Sequence, residues 1–76
     1  MKKLTQAVFN GAPDWVRSAG IDHDGEAYWL DIPLPLLRYL LARGWTVSLH
    51  SRIESAGVGF EYIDGEINEI GREVVK

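Results

Sequence analysis

The chain has 76 residues, 46% of them apolar and 25% charged, with a net charge of −3 and no cysteine. That balance describes one folded domain spanning 1–76 rather than a disordered chain, and it excludes disulfide staples and thiolate metal sites. The acidic sum argues against general nucleic-acid binding, which needs a surplus of Lys and Arg.

Chains of this length bury only about 60% of their extended surface, and a single core supplies roughly 3–5 kcal/mol net. Homo-oligomerisation or binding of a protein partner is the expected way to bury more. Met1-Lys2-Lys3 runs into polar Thr5 and Gln6 without the apolar run of a secretory signal, and no stretch has the length of a membrane span. The expectation is a soluble, cytoplasmic protein.

In chain order, Thr5 to Gly11 reads as one helical turn, capped by Thr5 and stopped by Gly11 before Pro13. Trp15, Ala19 and Ile21 then share one face of a first strand. Tyr28, Leu30 and Ile32 alternate with Ala27, Trp29 and Asp31 in a second. Asp24-Gly25 between them predicts a tight hairpin turn, because Gly adopts positive φ without cost and Asp tolerates it.

Pro33 ends the second strand and Pro35 suits a first helical turn. Leu36, Leu37, Leu40 and Leu41 form an apolar stripe with Arg38 off it, predicting an amphipathic helix over 35–43 that Gly44 stops. Trp45, Val47 and Leu49 alternate with Thr46, Ser48 and His50 as a third strand. Ser55 to Gly57 reads as a turn, and Val58, Phe60 and Tyr62 as the apolar face of a fourth strand. After Asp64-Gly65, the spacing of Ile67, Ile70 and Val74 favours a short helix over a fifth strand, although Gly71 weakens it. The predicted fold is α+β: a small antiparallel sheet of about four strands packed against one Leu-rich helix, with short terminal helical segments.

Asp22, His23, Asp24 and Glu26 share the Asp-x-Asp-Gly start of a calcium loop. The position where such a loop places its bidentate Glu holds Asp31, with Trp29 and Leu30 before it, so the cluster reads as a hairpin turn with solvated charges. His50, between Ser48 and Ser51, lies on a polar strand face, and a chain this short has little room for a water-excluding hydrolase cleft. Gly57-Val58-Gly59 lacks the third Gly and the following helix of a dinucleotide motif. No enzymatic activity, no cofactor and no metal are expected.

Binding is the better reading. Alternation puts Trp29 on the face opposite Tyr28, Leu30 and Ile32, so Trp29 or Tyr28 faces outward unless the segment around Val8 and Phe9 covers the indole. Exposed Trp and Tyr are frequent anchors of interfaces. Charge is also segregated: Arg38, Arg43 and Arg52 stand alone between Ile32 and Arg52, and Glu54, Glu61, Asp64, Glu66 and Glu69 follow with no base among them. The expected contact residues are Tyr28 and Trp29, flanked by Arg38 and Arg43 or by Glu61, Asp64 and Glu66. The acidic run also suits mimicry of phosphate charge before a basic partner, although an ordinary solvated face is the plainer reading.

Thr5-Gln6-x-Val8-Phe9-x-Gly11-Ala12-Pro13-x-Trp15, followed by Ala19-x-x-Asp22-x-Asp24-Gly25-x-Ala27-Tyr28-Trp29, resembles the opening of small accessory proteins encoded by tailed bacteriophages and prophages. The resemblance covers residues 4–30. It implies a non-enzymatic protein that binds a host or phage macromolecule, such as a component of a host defence system, and it assigns no functional residue. Two other expectations stand beside it. One is a protein that sequesters a nucleotide signal, stacking the base on aromatics and holding phosphate with Arg; the other is a DNA-contacting regulator, which requires a basic surface.

Overall fold

The computed structural model of the protein describes residues 1–43, 52–64 and 68–73. Near the N-terminus, the Thr5 hydroxyl accepts from the Ala7 N–H at 3.3 Å, and Gln6–Phe9 makes a 3₁₀ turn that buries Val8 and Phe9. The predicted hairpin forms from β1 (Ser18–Ile21) and β2 (Ala27–Leu30), antiparallel, with Ala19 opposite Trp29 and Ile21 opposite Ala27. Trp15, assigned by its spacing to the first strand, precedes it in a turn.

The hairpin corner differs from the expected two-residue turn. Gly25 N–H donates to Asp22 O and Asp22 N–H to Glu26 O, both at 3.0 Å, which leaves a three-residue loop. Gly25 alone in this loop has positive φ, at 83°, so Asp24 needs no left-handed conformation.

Helix α1 (Leu34–Ala42) begins after Pro33, whose extended ψ of 150° sets the entry, and Pro35 occupies its first turn. The predicted Leu stripe is only partly the buried one. Leu37 is 1% exposed and Leu34 and Leu40 are half-buried, whereas Leu36 and Leu41 remain exposed. Leu34 and Leu40 pack beside Leu37 at i−3 and i+3, with exposed Leu41 at the edge of that face, which centres the inward face on Leu37 and turns Leu36 away from the sheet.

The strand expected at 45–50 lies outside the described residues. The next strand is β3 (Ile53–Gly57), which pairs with β2 and incorporates the residues predicted as a turn. Ile53 opposite Leu30 sets its register, and the ladder tolerates the small Ser55, Ala56 and Gly57 that carried no apolar signal. The strand predicted at 58–63 does not form. Within it only Phe60 is buried, in the core with Val8 and Phe9, and its backbone makes a single parallel bridge to Lys2, while Val58, Tyr62 and Ile63 are exposed.

The helix predicted around Ile70 is likewise corrected: Glu69–Gly71 is β4, antiparallel to β1 with Ile70 opposite Ala19. Strand pairing along an otherwise open edge overrides the weak helical spacing. Gly71 suits this place because a Cβ there would approach Leu34 Cβ to 3.1 Å. Among the described residues the sheet order is β3-β2-β1-β4.

Each face of the sheet has its own core. Ala19, Ile21 and Ala27 pack with Val8, Phe9, Val16 and Phe60 on one side; Leu30, Ile32 and Leu37 pack on the other. Buried Ser18 donates its hydroxyl to Ile32 O at 2.7 Å. Arg72, which no sequence pattern marked, donates to the carbonyls of Pro13 at 2.7 Å and Val16 at 3.3 Å and so ties the loop before β1 to the end of β4. No helix among the described residues is long and apolar enough to cross a membrane.

Candidate binding sites

Tyr28 and Trp29 emerge on opposite faces of β2, as their alternation requires, and meet different fates. Trp29 is half-buried against the Val8 and Phe9 core, and its indole N–H donates to Val8 O at 2.9 Å. The N-terminal segment therefore covers it. Tyr28 lies on the helix side.

The acids of the hairpin corner organise Tyr28. Asp22 Oδ1 accepts from the N–H groups of Asp24 and Glu26, each at 3.0 Å, which fixes the loop. The Tyr28 hydroxyl lies 2.9 Å from Glu26 Oε1 and 3.3 Å from Asp22 Oδ2, and Glu26 Oε2 accepts from Ser55 Oγ at 2.7 Å. One phenolic hydrogen thus serves two carboxylates. No group of three or more His, Cys, Asp or Glu among the described residues is placed to hold a metal ion.

The hydrogen bond to Glu26, reinforced by partial burial and by the negative charges of Glu26 and Asp22, pushes the Tyr28 phenol from 10.0 up to about 12. A raised folded-state value means that the protonated phenol favours the folded state. That contribution is complete below pH 10 and disappears as pH rises through about 12. A tyrosinate absorbance titration should show one phenol ionising near the upper value and moving down in Glu26→Gln. An unmoved late phenol in that variant would contradict the assignment.

Beside Tyr28 an open cavity of about 270 Å³ separates the far end of α1 from the sheet. Apolar Gly20, Leu30, Leu37, Leu41 and Ile53 line it together with Tyr28, Asp22, Asn68 and Glu69. Arg38 Nε lies 3.8 Å from Glu69 Oε1. Arg43 follows the last helical residue and stacks over the Tyr39 ring at 5.2 Å from its centre.

The other expected contacts lie elsewhere. Glu61 is half-buried, donates its backbone N–H to Lys2 O at 2.8 Å and lines a separate hollow with Lys3, Leu4, Ile63 and Asn68. Asp64 is exposed, and Glu66 is outside the described residues, as is His50. The expected contact residues that are described therefore do not converge: Tyr28 and Arg38 flank one cavity, Trp29 is under the N-terminal turn, and Glu61 is apart from both.

On the outward face of α1, sequence reasoning marks Arg43 but misses Leu36 and Tyr39. Leu36 is 44% exposed and Tyr39 55% exposed, with Arg43 on the same line of the helix. The available signal is the i, i+3, i+7 spacing of these three residues, masked in the sequence because Leu36 also fits the core stripe. The fit between chain and known proteins adds nothing to this picture: no family model matches, and no curated protein or solved structure matches either.

Proposed function

We propose that the chain is a non-enzymatic protein that acts by binding another protein, and that the outward face of α1 makes the contact. The observation that carries this reading is the exposure of Leu36 and Tyr39 beside Arg38 and Arg43, on a helix that has no acidic residue. Apolar surface left in water beside Tyr and Arg is the usual material of an interface centre. Arg43 already lies over the Tyr39 ring, so the pair loses less side-chain freedom when a partner closes on it.

The complement is an apolar groove edged by Asp or Glu, which would take the helix lengthwise. A bacteriophage accessory protein directed at a host protein, for instance a defence component, fits this description. The buried Ser18 hydroxyl is committed to Ile32 O and so is no free nucleophile, which favours binding over catalysis.

The test compares the native chain with the Leu36→Asp, Tyr39→Asp double variant as immobilised bait in a bacterial lysate. Both positions are on the surface, so the variant should melt within a few degrees of the native chain. A protein retained by the native chain should be lost, with affinity falling at least about tenfold in a purified pair. An identical retained set on two folded baits would remove the helix from the interface. Dimerisation of the native chain that the variant abolishes would replace the foreign partner with a second copy.

A further inference from the structure

The cavity between α1 and the sheet has a chemistry of its own, and neither Leu36 nor Tyr39 lines it. It exists because β1 places a residue without a side chain at the middle of the helix-facing surface. A Cβ built on Gly20 would meet Asn68 O at 3.8 Å, Glu69 Cβ at 3.9 Å and Leu30 Cδ1 at 4.0 Å, all ordinary contacts, so the backbone does not demand glycine here. A larger side chain would simply occupy the space. The interior is walled by Leu30, Leu37, Leu41 and Ile53, and at about 270 Å³ it exceeds the roughly 150 Å³ that suffices for benzene in an apolar cavity.

The mouth has the opposite character. Glu69 is balanced by Arg38, but no Lys or Arg among the described residues pairs with Asp22 or Glu26. Asp22 lines the cavity, Glu26 does not, and the two carboxylates share the single Tyr28 proton, which leaves negative charge and acceptor capacity on Asp22 and the Tyr28 oxygen beside an apolar hole. The two are too few for a metal site among the described residues, and they repel phosphate and carboxylate. A group with several N–H donors, a positive charge and an attached apolar body meets both demands.

We propose that this cavity binds a small amphipathic amine, with an aromatic or branched alkyl body against Leu30, Leu37 and Leu41 and its ammonium at Asp22 Oδ2 and the Tyr28 oxygen. The experiment is an NMR titration of the full chain with phenethylamine, phenethyl alcohol and phenylacetate, three molecules that share a body and differ in charge. Phenethylamine should shift the Gly20, Tyr28 and Leu41 resonances saturably. The alcohol should bind about tenfold more weakly or worse, since it lacks the charge-assisted hydrogen bonds, and phenylacetate should leave these resonances unmoved. Glu26→Gln should narrow the preference for the amine, and Gly20→Val should abolish binding by filling the cavity. Gly20→Ala, whose single added methyl meets no close contact, serves as a weaker block if the valine variant does not fold. Equal affinity for amine and alcohol, absence of saturable shifts with the amine, or undiminished binding to folded Gly20→Val would each overturn the proposal. Because Leu36 and Tyr39 are untouched by all three variants, this outcome is read separately from partner docking on α1.

Discussion

Gly25→Ala is expected to be among the most damaging single substitutions in the chain. Its φ of 83° is left-handed, which costs a residue with a Cβ about 1–3 kcal/mol. Space adds to the conformational cost: a Cβ there would be 2.8 Å from Phe60 O, a backbone atom that cannot swing aside. Phe60 N–H donates to Gly25 O at 3.0 Å, and the Phe60 ring is buried in the core beneath the N-terminal turn. Relieving the clash therefore means displacing Phe60 from that core, so the loss should reach or exceed the upper end of the range. Gly11→Ala is the control. Gly11 also has positive φ, at 76°, but its Cβ would meet nothing within 4 Å. Urea unfolding followed by Trp fluorescence should place Gly25→Ala well below Gly11→Ala in midpoint. Equal midpoints would mean that the corner yields without disturbing Phe60.

The legible parts of the fold were those where local chemistry and tertiary packing agree. Asp24-Gly25 marked the hairpin because the turn needs one positive φ whatever surrounds it, and Pro33 with Pro35 marked the helix start because proline restricts backbone locally. The illegible parts were set by distant partners. Ser55, Ala56 and Gly57 have weak strand preference alone and become β3 because β2 offers them a ladder. Glu69–Gly71 becomes β4 because the edge of β1 is open to it. Site legibility followed the same division. Alternation correctly separated Tyr28 from Trp29, but whether either was accessible depended on what covered it, and the Val8 carbonyl that takes the indole N–H is 21 positions away. The cavity left no sequence signal beyond an unremarked Gly20, since a hole is a property of the elements around it.

Leu37→Ala tests how much of the helix-side core rests on one residue. Leu37 is the one buried residue of α1, and among the described residues its cluster contains only Leu30 and Ile32 as further buried members. Truncating a fully buried Leu costs about 2–5 kcal/mol, comparable with the roughly 3–5 kcal/mol expected for a domain this small. A nine-residue helix does not persist in water without packing. The loss should therefore fall first on α1: amide exchange across residues 34–42 should accelerate toward the unprotected rate. The β1 amides, backed by the separate core of Val8, Phe9, Val16 and Phe60, should keep more of their protection. Leu36→Ala is the paired control, since Leu36 faces solvent and its truncation should shift stability by less than about 0.5 kcal/mol. If both substitutions cost the same, or if helix amides in Leu37→Ala exchange as slowly as in the native chain, α1 is not held by Leu37. The assignment of Leu36 to partner contact would then lose its basis too, because it assumes that adjacent leucines divide the two tasks, one anchoring the helix and the other presenting it.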